Sequence, residues 1–163
     1  MKSKYLILCV VSAIILLLDQ ATKIFIDRTM GLHSSITVVE NFFNITYIRN
    51  KGAAFGILAE SSFRLPFFIL VSIIAVVVII GVFRKLRTGQ TFTAVALSLI
   101  LAGALGNLID RIRLGEVIDF LDAHWYGHHW PVFNVADSAI CVGVFLLAID
   151  MFLDERRKKS ERQ

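Results

Sequence analysis

Leu65 to Phe83 reads LPFFILVSIIAVVVIIGVF, nineteen residues without one charged side chain. At 1.5 Å per residue such a run spans about 30 Å of hydrocarbon as a helix. In lipid every backbone N–H and C=O must find its partner within the segment, so a helix is the default. Three further runs meet the same test: about residues 5–26, 92–108 and 132–153. The chain of 163 residues is 56% hydrophobic, with a mean hydropathy of +0.72. That composition excludes an ordinary water-soluble core. We expect one integral-membrane domain over residues 1–163 with four transmembrane helices.

The first run follows the basic start MKSK and has the look of a secretory leader. No A-x-A-like cleavage site follows it; the chain continues into DQATKIF. A retained span is expected. Cys9 and Cys141 both fall inside expected spans at different depths, so no disulfide is expected. Cys141 sits one turn after Asp137 with no histidine in that span to activate it, and is expected as a small buried hydrophobe.

Basic residues set the orientation. Lys2, Lys4, Arg84, Lys85, Arg87, Arg156, Arg157, Lys158, Lys159 and Arg162 flank one side of the four runs. Arg28, Arg49, Lys51, Arg64, Arg111 and Arg113 are spread over the longer connectors on the other. Both termini are therefore expected in the cytoplasm, with residues 27–64 and 109–131 facing outward. The basic C-terminal tail reads as a topology anchor near anionic lipid, not as a nucleic-acid site.

The first outward segment contains SITVVENFFNITYIRN, β-branched and aromatic residues around Glu40-Asn41, which predicts a small hairpin. The small residues of NKGAAFGIL (Asn50–Leu58) would let a ligand backbone approach closely. The second outward segment contains HWYGHHW. His124, His128 and His129 raise the question of a metal, but tryptophan and tyrosine belong at a membrane interface, and an aromatic belt is the preferred reading.

Polar residues at membrane depth cost about 2.5–3.5 kcal/mol each on insertion scales and are functional candidates by default. Asp19 and Lys23 are four apart on one helix, as are Asn107 and Arg111 on another. Asn134, Asp137 and Ser138 open the last span. All lie toward the outward side. Asp119 and Asp137, if the fold joins them, form a carboxylate dyad near low dielectric, sharing one proton and titrating as a unit. Such a pair can hydrolyse an amide: one ionised carboxylate takes a proton from water and the protonated one polarises the carbonyl. Asp110, Asp122 and Asp150 are expected to be only connector or anchor charges.

Four blocks in order, DQATK, RNKGAAFGI, AGALGNLIDRIRLGEVIDF and FNVADSA, resemble the prolipoprotein signal peptidase family (signal peptidase II) over almost the whole chain. The resemblance implies four transmembrane helices, an outward β-cradle and a short outward helix. It implies an aspartic peptidase of the bacterial inner membrane that needs neither cofactor nor metal. It would cut diacylglyceryl-modified prolipoproteins just before the lipid-modified cysteine, and would be inhibited by globomycin-like cyclic peptides. It makes Asp119 and Asp137 the catalytic pair, and Asp19, Lys23, Asn50, Gly52, Asn107, Arg111 and Asn134 supporting or substrate-contacting. One copy of each acid per chain suggests a monomer surrounded by membrane lipid. Competing readings are a proton-coupled transporter, a membrane scaffold and a metal-dependent hydrolase. Transporters favour midplane sites in broken helices and often internal repeats, neither of which is visible here.

Overall fold

The computed structural model describes residues 2–52, 61–87 and 89–160. The stretch 53–60, with most of the expected small-residue approach to a ligand, lies outside the described residues. Four long helices are present: α1 (Lys2–Thr29), α2 (Arg64–Lys85), α3 (Thr91–Leu114) and α4 (Val135–Ser160). Each is long and apolar enough to cross a membrane. Among the described residues no short helix accompanies them.

All four helices depart from the expected spans at their ends, α4 running on to Ser160, and two of these boundaries have a physical reason in the local contacts. α3 continues past Leu108 to Leu114 because Asn107, Asp110 and Arg111 find partners inside the protein; it stops where Gly115 takes a left-handed conformation, φ 73°. Residues 109–114 are therefore helix and not connector. α4 begins at Val135, after Asn134, whose side-chain Oδ1 accepts the Asp137 N–H at 2.9 Å. In return the Asp137 carboxylate accepts the Asn134 N–H at 3.2 Å. This reciprocal arrangement is a capping box, and it starts the helix three residues later than apolarity alone suggests.

α3 is the central helix: 61% of its apolar window is buried, against 6–17% in the other three. Small residues let its neighbour come close, since lipid supplies no hydrophobic drive between helices and contact must come from packing. A Cβ on Gly103 would meet the Ala136 carbonyl oxygen at 2.3 Å, and one on Gly143 the Ala96 oxygen at 2.7 Å. At the far end of α4, Asp150 accepts the Thr93 hydroxyl at 2.5 Å, so it ties α4 to α3 and is more than an anchor charge.

A four-stranded antiparallel sheet, in order β1 (Ser35–Val39), β2 (Phe43–Asn50), β3 (Val117–Trp125) and β4 (His128–His129), covers one end of the bundle. The expected hairpin is β1–β2, turning through Asn41 at φ 64°. β2 pairs along β3 from Phe43↔Ala123 to Asn50↔Val117, with an irregularity between Ile45 and Ile48. Ile26, Tyr47, Ile118 and Phe120 form the core beneath the sheet, with Met30, Leu114 and Val135 packed against it. The sheet thus rests on the C-terminal ends of α1 and α3 and the N-terminal end of α4. Tyr47 donates to Asp27, and Arg49 reaches both, which clamps β2 to α1.

Candidate active site

Under the sheet a cavity of about 540 Å³ is lined by Asn50, Gly52, Asn107, Arg111, Asp119 and Asp137, walled by Trp130–Phe133 and floored by Ser138 and Cys141. Asp119 comes from β3 and Asp137 from the first turn of α4. Both acids, eighteen positions apart in sequence, open onto this one space.

Three asparagines set the two carboxylates, and each amide has only one workable orientation. Asn50 Oδ1 accepts the Gly52 N–H at 2.9 Å, so its Nδ2 faces Asp119 Oδ2, also at 2.9 Å. Asn134 Oδ1 is occupied by the Asp137 N–H; its Nδ2 therefore donates to Asp119 Oδ1 at 2.7 Å, with the Ile118 carbonyl at 3.2 Å. Asn107 Oδ1 accepts from Lys23 at 2.9 Å and from Asn134 Nδ2 at 3.2 Å, which turns its own Nδ2 to Asp137 Oδ1 at 2.7 Å. With the Asn134 N–H on Asp137 Oδ2, every oxygen of both acids accepts one N–H. Asn134, fully buried, touches both acids and is the hinge of the arrangement.

Asp119 is 2% exposed. Burial, and then the neighbouring Asp137 carboxylate, push its pKa up to about 7, against the hydrogen bonds from Asn50 and Asn134. Asp122, three residues along the same strand, behaves in the opposite way. Burial raises it, but His129, Asn44 and Thr46 outweigh that and hold it below the ordinary carboxylate range. So Asp122 is no loose connector charge. It is buried and locked as an anion within the sheet, away from the cavity.

Behind the cavity lies a charged cluster. Lys23 Nζ meets Asp19 Oδ2 at 3.0 Å and Asp110 Oδ2 at 2.9 Å, and all three residues are at most 1% exposed. The expected Asp19–Lys23 pair is present. Asp19 Oδ1 also accepts the Ala136 N–H at 2.9 Å, capping α4 from α1. The reading of Asp110 as a connector charge is overturned. It accepts from Lys23, from Gln20 Nε2 at 3.1 Å and from the Ile118 N–H at 3.3 Å. Arg111 lies against the Phe68 ring, 4.9 Å to the centroid, and lines the cavity.

Cys141 was expected to be buried; it is exposed and contributes to the cavity floor, and both thiols are free. Among the described residues no group of three or more His, Cys, Asp or Glu side chains is placed to hold a metal ion. His129 pairs with Asp122 at 2.8 Å and stacks on His124, with ring centroids 4.6 Å apart. Trp125, Tyr126 and Trp130 are well exposed, as interfacial aromatics would be. The sequence reading missed Gln20, Asp110 and the wall Trp130–Phe133. Asp110 lies three residues after Asn107 on the same helical face, the one local signal that pointed to it.

A family model described as signal peptidase (SPase) II matches residues 11–153. The lipoprotein signal peptidase of Geobacter sulfurreducens is 64% identical, covering 97% of this chain and 99% of that one. That of Pseudomonas putida is 43% identical over 92% of this chain and 87% of its own. Among solved structures, a bacterial membrane enzyme determined by the in meso method at 2.3 Å resolution superposes with a TM-score of 0.85 at 40% identity, covering 93% of this chain and 90% of that one. A second bacterial membrane enzyme, at 1.9 Å, gives 0.80 at 38% identity, over 88% and 91%.

Proposed function

The chain belongs to the signal peptidase II family and is a peptidase that removes signal peptides from prolipoproteins, and from that premise we propose that Asp119 and Asp137 are its catalytic pair. The carrying observation is that two acids from different elements line one cavity, each held at both oxygens by fixed N–H donors.

The chemistry follows from their surroundings. Asp119, pushed up to about 7, keeps the shared proton at neutral pH and donates it to the scissile carbonyl. Asp137, on the first turn of α4, has the helix N-terminus to stabilise its anion. It takes a proton from water as the water oxygen attacks the carbonyl carbon. The neutral gem-diol intermediate collapses when the proton held by Asp137 passes to the amine, one of its hydroxyls returns a proton to Asp119, and the C–N bond breaks, which restores the starting pair. Arg111, Asn50 and Gly52 line the space beside the acids and contact substrate. Asp19, Lys23, Asn107 and Asn134 hold the acids in place. The substrate is a diacylglyceryl-modified precursor, cut just before the lipid-modified cysteine, and globomycin-like cyclic peptides block the same cavity. One chain holds both acids, so a monomer within the lipid suffices.

Turnover should follow a bell-shaped pH profile. The sign is fixed by Asp119: its folded pKa lies above the ordinary value, so the proton it must donate is present below about 7 and lost as pH rises through that value. The alkaline limb of kcat/KM, which reports the free enzyme, is therefore expected near neutrality. A limb found only near pH 10 would assign the acid elsewhere.

The bacterial inner membrane, both termini in the cytoplasm and a cavity on the outer face are supported by the distribution of basic residues. A diacylglyceryl anchor on an exported precursor sits in the outer leaflet, the depth such a cavity would serve. Cysteines at positions 35 and 159, in a background lacking Cys9 and Cys141, test this. An impermeant thiol reagent on spheroplasts should label position 35 and spare 159; the reverse pattern would overturn the orientation.

A further inference from the structure

Asp110 does not line the cavity, and nothing in the proposed reaction uses it. Its carboxylate nevertheless sits where the settings of both acids meet. The Lys23 ammonium has three N–H donors and no acceptor. All three have partners: Asp19 Oδ2 at 3.0 Å, Asp110 Oδ2 at 2.9 Å and Asn107 Oδ1 at 2.9 Å. The third bond leaves Asn107 only its Nδ2 to offer Asp137. Withdraw Asp110, and the ammonium loses one of the three points that aim it. Asp110 Oδ2 also accepts the backbone N–H of Ile118, the residue before Asp119, at 3.3 Å. Its other oxygen is steadied by Gln20, whose Oε1 is in turn held by Arg113 at 3.3 Å.

We propose that Asp110 is a positioning residue for the peptidase reaction. Through Lys23 it fixes the Asn107 amide against Asp137, and through the Ile118 N–H it fixes the strand that carries Asp119. This rests on the dyad reading, which Asp119→Asn tests without reference to any Asp110 variant. A residue that only balanced the charge of Lys23 would act on folding alone, and turnover per folded molecule would not change.

Asp110→Asn separates the two. The substituted amide keeps the size but removes the charge and turns an N–H₂ toward donors. Assayed on a lipidated precursor peptide and scored per folded protein, kcat should fall about 10- to 100-fold, the size seen when a residue that orients a functional group is lost. KM should change by less than about threefold. The charges bearing on Asp119 are Lys23, Arg111 and Asp137, with Asp19 and Asp110 behind Lys23. Removing one anion leaves the two cations less opposed, which favours ionised Asp119, so the alkaline limb should move to lower pH. Wild-type kcat per folded molecule with an unmoved limb would overturn the proposal. If Asp110→Asn does not fold, the double variant Lys23→Met with Asp110→Asn removes one cation and one anion together, and Asp19 keeps the N–H donors of Ala136 and Gln20. Its Asn107 amide loses the 2.9 Å bond from Lys23 and keeps only the 3.2 Å bond from Asn134 on that oxygen, so kcat should stay down by about 10- to 100-fold. Wild-type turnover from the folded double variant would equally overturn it.

Discussion

Asp119→Asn and Asp137→Asn should each lower turnover by about 10⁴-fold while the protein still folds and still binds the lipidated precursor. Asparagine keeps the size of the side chain and can still accept one of the two hydrogen bonds each carboxylate receives. It cannot exchange a proton. On the proposal that the two acids act as one unit, the double variant should be scarcely worse than either single one. Multiplied losses in the double variant would mean that the acids contribute separately. Asp122→Asn is the matched control. It alters a buried carboxylate on the same strand, held by His129, Asn44 and Thr46 outside the cavity, and should leave kcat near wild type.

Lys23→Met should destabilise the folded protein by about 3–5 kcal/mol, the usual cost of removing one partner from a buried charge cluster. Methionine fills the volume but leaves Asp19 and Asp110 facing each other with no cation between them. Asp19 still has the Ala136 N–H, which keeps the α1–α4 contact. Asp110 is left with Gln20 and Ile118. Adding Asp110→Asn to Lys23→Met should therefore recover part of the lost stability. Thermal unfolding in detergent reads both; a Lys23→Met protein as stable as wild type would show that the cluster is not ionised as drawn.

Much of this was legible in the sequence because hydropathy and helical spacing are local signals. Leu65–Phe83 declares itself as a span, and Asp19 with Lys23 declares a shared face. Asp119 and Asp137 could be named as a pair only through their chemistry and the four ordered blocks, since their elements are joined by long-range packing and by Asn134, which bonds both acids. Asp110 was misread because it follows the apolar part of α3, where charge normally means exit from the membrane. Its partners, Lys23 and Gln20, lie some ninety positions away in sequence. β3 escaped notice as a strand because it is buried on both faces for most of its length, so the alternation that marks a half-exposed strand is missing. Cys141 was placed inside by its apolar neighbours; nothing local shows that α4 turns that face to a cavity.

The most direct test of a two-carboxylate, metal-independent peptidase is cleavage of a diacylglyceryl-modified precursor peptide by the purified protein in excess EDTA, with the product's new N-terminus read by mass spectrometry. The predicted result is undiminished cleavage immediately before the lipid-modified cysteine, abolished by Asp119→Asn. Cleavage that stops on chelation and returns with added zinc, or that persists in the folded Asp119→Asn protein, would contradict it.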